Sequence, residues 1–155
     1  MKYFALILAI ISSTAYAESY HFEGRWLTFG PNFQYHFGGT NPGFGWGLEI
    51  GYWNLREQDD GSFEMSYGID VGFENIQKQK YWYTEAQIGT PVIGVSMGPV
   101  FTKGSQGIDI GMQGSGWIGA FAYLDLRMRE MKIGSMDYSP GLFLRGACMS
   151  PDEYY

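Results

Sequence analysis

The sequence predicts an all-β protein, an eight-stranded antiparallel up-and-down β-barrel. Three observations predict it. Apolar and polar residues alternate with period two through eight segments, a pattern that a strand sorts onto two faces and a helix would mix. Short clusters rich in Gly, Asn, Asp, Pro, Ser and Lys divide the segments, each short enough for a hairpin connection. Eight is also the number of strands at which a meander closes into a small barrel.

The segments follow in order. Leu27, Phe29, Phe33, Tyr35 and Phe37 oppose Thr28, Gly30, Asn32, Gln34 and His36. After a turn at 38–43, Phe44, Trp46, Leu48, Ile50 and Tyr52 oppose Gly45, Gly47, Glu49 and Gly51. The clearest alternation follows the turn at 56–62. There Phe63, Met65, Tyr67, Ile69, Val71 and Phe73 face away from Glu64, Ser66, Gly68, Asp70, Gly72 and Glu74. Beyond 77–80, Trp82, Thr84, Ala86 and Ile88 oppose Tyr83, Glu85 and Gln87; beyond 90–91, Ile93, Val95, Met97 and Phe101 oppose Gly94, Ser96 and Gly98. The turn at 102–106 leads to Ile108, Ile110 and Met112 against Asp109, Gly111 and Gln113. Gly114-Ser115-Gly116 then reads as a turn. Ile118, Ala120, Ala122, Leu124, Leu126 and Met128 follow, against Gly119, Tyr123, Asp125, Arg127 and Arg129. After 130–136, Tyr138, Leu142 and Leu144 oppose Ser139, Gly141 and Arg145.

Residues 1–17, MKYFALILAIISSTAYA, stand apart. Lys2 gives a positive start, 4–11 is apolar, and Ala15-Tyr16-Ala17 has the small-x-small form of a cleavage site. The stretch reads as a secretory signal peptide, too short to be a spanning helix, which leaves 18–155 as one barrel domain. With 16 acidic against 10 basic residues, bulk attraction to nucleic acid is not expected. The single Cys148 excludes an internal disulfide framework and a thiolate zinc cage, and His21 and His36 lie too far apart to suggest a metal. No cofactor is expected.

Which face points outward decides the biology. After signal removal the lysines are Lys78, Lys80, Lys103 and Lys132, all in expected turns, whereas a soluble β-protein carries Lys along its solvated strand face. The polar face is Gly, Ser, Asn, Gln and scattered carboxylates, which suits a crowded interior. Trp26, Trp53, Tyr81, Trp82, Trp117 and Tyr138 fall near strand ends, where amphipathic rings favour membrane interfaces. The expected barrel is therefore transmembrane, apolar side outward.

In its signal peptide, eight alternating segments and aromatic strand ends, the chain resembles the small eight-stranded outer-membrane barrels of the OmpX and OmpA transmembrane-domain type. The resemblance spans Gly24 to Cys148. It implies residence in the bacterial outer membrane, insertion by the barrel-assembly machinery, and a structural or envelope-maintenance role without catalysis. Such barrels finish on an aromatic, a place that Tyr155 takes at the end of SPDEYY. Two other readings are a soluble periplasmic or secreted lipocalin-like barrel holding an apolar ligand, and a barrel-borne lipid-modifying enzyme.

An inward polar face places Glu49, Glu64, Asp70, Glu74, Glu85, Asp109 and Asp125 against Arg127, Arg129 and Arg145. The expectation is a structural network of ion pairs filling the lumen, with no room for a porin-like channel. His36 has no Ser near it in sequence and reads as a rim histidine; Cys148 reads as a small packed hydrophobe. Strand parity puts Lys78, Lys80, Lys103 and Lys132 on one rim, where they face outer-membrane lipid, including lipopolysaccharide phosphates.

Overall fold

The computed structural model describes residues 24–37, 42–56, 65–119, 122–132, 135–144 and 146–149. The signal peptide expected over 1–17, together with Glu64, Arg145 and Tyr155, lies outside the described residues. The strands are β1 (Gly24–His36), β2 (Gly43–Leu55), β3 (Ser66–Ile76), β4 (Gln79–Gly89), β5 (Ile93–Lys103), β6 (Ile108–Gly119), β7 (Ala122–Lys132), β8 (Ser135–Leu144) and β9 (Gly146–Met149). No helix occurs among the described residues.

Sequence neighbours pair antiparallel from β1 to β8, and β1 also pairs with β8 and β9, so the sheet closes on itself. The pairs Asn32–Phe143 and Phe29–Gly146 share one register, so β8 and β9 form a single eighth stave. The molecule is a closed, eight-stranded, antiparallel barrel. The register also fixes its shape. A ladder leaving β1 at Leu27 passes through Tyr52, Ile69, Ala86, Met97, Gly114, Met128 and Tyr138 and re-enters β1 at Phe37, ten residues further on. Such a stagger tilts the strands by roughly 40°, and strands of about 11 residues at that tilt rise roughly 25–28 Å.

The closing seam is the most interrupted. β1 meets β2 along its whole length, Gly24–Leu55 to His36–Gly43, but meets β8 only from Asn32 to Gln34 plus a bridge at Phe37–Tyr138. Pro140 stands opposite Tyr35 in that register, and Pro31 stands opposite Leu144 at the junction of β8 and β9. Proline has no amide hydrogen to give a ladder, which accounts for the gaps.

Several expected boundaries move. Gly114-Ser115-Gly116 is no turn: β6 runs through it, with Met97–Gly114 and Ile93–Ile118 in register, and the chain reverses between Gly119, where β6 ends, and Ala122, where β7 begins. A two-residue connection conserves parity, so the alternation from Ile118 to Leu124 crosses the turn unbroken and hides it. Gly119 opens that turn at φ 144°, a conformation that an L side chain rarely adopts. β4, β5 and β7 likewise extend further than expected. Lys78 occupies the β3–β4 turn after Gln77, whose φ is 55°, while Lys80, Lys103 and Lys132 lie at strand ends.

Large side chains on one face of the sheet require small ones opposite. A Cβ on the inward-facing Gly72 would fall on the ring of Tyr83, whereas one on the outward Gly116 would meet nothing within 4 Å. Gly72→Ala should therefore lower stability by about 1–3 kcal/mol through overpacking. Gly116→Ala should stay within about 0.5 kcal/mol of the parent in the same thermal unfolding assay.

Candidate functional site

The interior is layered along the barrel axis. At the rim that carries the turns after β2, β4 and β6, the lumen is closed by Trp53, Leu55, Trp117, Tyr123 and Phe143, with Trp26 packed against them. The rings meet edge to face, Trp53 with Trp117 at 5.5 Å and Trp117 with Tyr123 at 5.1 Å. Toward the other rim, Ile76, Tyr81, Tyr83 and Val100 form a second apolar group, flanked by Met131. The buried ion pairs lie beside this second group, with the guanidiniums stacked on the rings of Tyr83 and Tyr81.

Arg127 and Arg129, two residues apart on β7, organise these pairs. The Arg127 guanidinium pairs with Glu74 through Nη1 and with Glu49 Oε2 through Nη2 at 3.2 Å, with Asp125 Oδ2 3.8 Å away. Arg129 Nη2 reaches Glu74 Oε2 at 2.5 Å, so Glu74 is held by both guanidiniums. Arg129 Nε donates to Gln113 Oε1 at 2.7 Å; Gln113 Nε2 in turn donates to Glu85 Oε1 at 2.8 Å. Glu85 accepts a further bond from Ser96 Oγ, which is 2.6 Å from Ser115 Oγ. Tyr83 links the first strands to this chain: its hydroxyl donates to Glu49 Oε2 at 2.8 Å and accepts from Asn32 Nδ2 at 3.1 Å. Both guanidiniums also lie over rings, Arg127 4.6 Å from the Tyr83 centroid and Arg129 4.2 Å from that of Tyr81.

Of the inward charges expected from sequence, Glu49, Asp70, Glu74, Glu85, Asp125, Arg127 and Arg129 are all buried. Asp109 departs from the expectation. It has the inward parity but sits near the start of β6, at the rim, where the lumen opens, and it is exposed. The aromatic residues divide differently than expected. Trp53, Trp117 and Tyr81 are buried inside, because they share the parity of Glu49, Gln113 and Glu85; of the expected rim set, Trp82 and Tyr138 are exposed on the outer face.

Two features had no sequence signal. The uncharged members of the network, Asn32, Gln34, Ser96, Gln113 and Ser115, are scattered over three strands and become partners only through the register. His36 and Ser139, distant in sequence, hydrogen-bond through Nδ1 and Oγ across the closing seam. At 4% and 1% exposure both are enclosed, and the bond joins β1 to β8 beside the gap at Pro140.

A small cavity remains between Glu49, Asp70, Glu85, Asp125 and Arg127 and the ring of Trp117, with about 10 Å³ of free room. That is the space of one water. Among the described residues no group of three or more His, Cys, Asp or Glu is placed to hold a metal ion. Among the described residues the arrangement is a packed polar core, closed at one end by the aromatic group around Trp53 and Trp117.

No protein-family model matches the sequence, and no curated protein matches it. A solved structure described as "De novo design of transmembrane beta-barrels" is similar in fold, with a TM-score of 0.44 and 9% identity, covering 81% of this chain and 98% of its own.

Breaking the network from its centre should be costly. Arg127→Met keeps the side-chain bulk but leaves Glu49 and Glu74 short of a buried counter-charge, so stability should fall by about 3–5 kcal/mol. Urea unfolding in detergent reads this loss, and adding Glu74→Gln should recover part of it. An unchanged midpoint for Arg127→Met would mean that the guanidinium does not hold the interior.

Proposed function

We propose that this protein spans the bacterial outer membrane as a filled β-barrel and serves the envelope as a structural, non-catalytic component. One observation carries the reading: the barrel is polar inside and apolar outside. Glu49, Glu74, Glu85, Arg127 and Arg129 are 4% exposed or less, while Leu48, Ile50, Ile69, Val71, Val95 and Leu124 on the outer face are 49–60% exposed. Apolar side chains continue around the barrel, far beyond the few hundred Å² that a soluble monomer exposes in one patch. A soluble ligand-holding barrel needs the reverse arrangement, with its apolar side chains turned inward.

The dimensions support the same reading. Strands β1 to β8, of 10–13 residues and tilted as the register requires, match an apolar band about 25 Å tall. Aromatic side chains on the outer face concentrate toward the lysine-bearing rim: Tyr35, Phe37, Phe44, Trp46, Trp82 and Tyr138 are exposed there. A leader that delivers the N-terminus to the periplasm, with an even number of staves, turns this rim outward. A lumen filled by ion pairs leaves a scaffold or membrane-sealing role in place of conduction.

Fractionation tests the reading directly. Extraction should require detergent, and the folded protein should migrate differently on gels before and after boiling; release with soluble periplasmic contents would contradict it. Within the belt, Leu48→Lys should cost about 2–4 kcal/mol of folding free energy in bilayers, whereas Ile108→Lys at the rim should cost about 0–1 kcal/mol.

A further inference from the structure

Lys80 and Lys103 meet at the outer edge of the barrel. Tyr81 pairs with Thr102 and Trp82 with Phe101, so one step toward the rim Lys80 and Lys103 stand opposite each other on β4 and β5. Both are exposed and share the outward parity of Trp82 and Phe101. Lys78, also exposed, sits in the turn that leads into β4. Like charges directly opposite on one sheet face repel, with Cβ atoms only about 4.5–5.5 Å apart.

Among the described residues, no carboxylate relieves this repulsion. The outward neighbours in register are Asn75 beside Lys80 and Ile108 beside Lys103, and the next outward residues along the strands are Trp82 and Phe101. Asp109 pairs with Thr102, so it belongs to the inner side of the sheet, with its carboxylate against Gly104. Lys132, on β7, differs in having a partner within the chain. Solvation of turn residues explains a single exposed lysine. It does not explain two placed face to face with no carboxylate between them among the described residues, in a chain with 16 acidic residues.

We propose that Lys78, Lys80 and Lys103 form a docking site for the phosphate of an anionic lipid headgroup, with the lipid's chains lying along Trp82 and Phe101. The geometry fits that ligand in two ways. An anion between the ammonium groups converts a repulsive pair into two attractive contacts, and the rings below it place the site where an acyl chain meets its headgroup. Each lysine near an anionic surface strengthens association by roughly fivefold, so the opposed pair should account for roughly 25-fold in preference for anionic over zwitterionic lipid.

The proposal rests on the membrane reading, and the test separates the two. Full-length protein is inserted into phosphatidylcholine vesicles and into vesicles that also contain phosphatidylglycerol, and its unfolding temperature is followed for the wild type, Lys80→Gln/Lys103→Gln and Lys132→Gln. The anionic lipid should raise the wild-type value. The double variant should lose at least half of that rise and, in phosphatidylcholine alone, be no less stable than the wild type; Lys132→Gln should keep the rise. An equal rise in all three proteins overturns the site. Inorganic phosphate that stabilises the wild type in phosphatidylcholine as much as the anionic lipid does overturns the lipid as its ligand. Failure of the wild type to insert into either vesicle overturns the membrane reading itself.

Discussion

Two guanidiniums on one strand, sharing the carboxylate of Glu74, set the terms for the whole molecule. Charges buried in a space this narrow are tolerated only when paired and hydrogen-bonded, because removal from water costs each ion several kcal/mol. Arg127 and Arg129 reach partners on β2, β3 and β6, so the pairs also tie together staves that do not touch through their backbones. Five buried carboxylates against two guanidiniums make these two arginines indispensable to the described interior. The inward parity of β7 then dictates the rest: its other face, Leu124, Leu126 and Met128, points outward.

From that constraint the packing follows. Eight staggered strands leave a lumen that side chains fill, so each large residue needs a small one across from it. Tyr83 occupies the space above Gly72, and Asp70 crowds Gly51. The abundance of Gly in the sequence is thus the complement of the network. The rings of Tyr81 and Tyr83 against the guanidiniums lower the local polarity around the ion pairs, which strengthens them. The seam between β1 and its last partners is the exception. Two prolines interrupt its ladder, and the His36–Ser139 bond is a side-chain tie where backbone bonds are missing.

Much of this was legible in the sequence, for a definite physical reason. Period-two alternation records which face of a strand is enclosed, so the eight staves and the buried positions of Glu49, Glu85 and Arg127 could be read without knowing the pairing. Parity carries no information about turns of even length, so alternation hides the reversal between Gly119 and Ala122, while the composition of Gly114-Ser115-Gly116 imitates a turn inside β6. Position near a strand end likewise says nothing about direction. Trp53 and Trp117 lie near ends yet point inward, which their spacing from Glu49 and Gln113 already implied. Side-chain partnerships such as Gln113 with Glu85 depend on register across several strands, and a single sequence does not contain it.

The account stands or falls on which face of the sheet meets lipid. The most direct measurement is a nitroxide scan along β4 at positions 82, 84, 86 and 88, in a Cys148→Ser background and in bilayers. Collision with oxygen, which partitions into lipid, should be high at all four outward positions, and collision with a water-soluble nickel chelate should be low. High nickel accessibility with low oxygen accessibility at those positions would mean that the apolar face is not in a bilayer, and the membrane reading would be wrong.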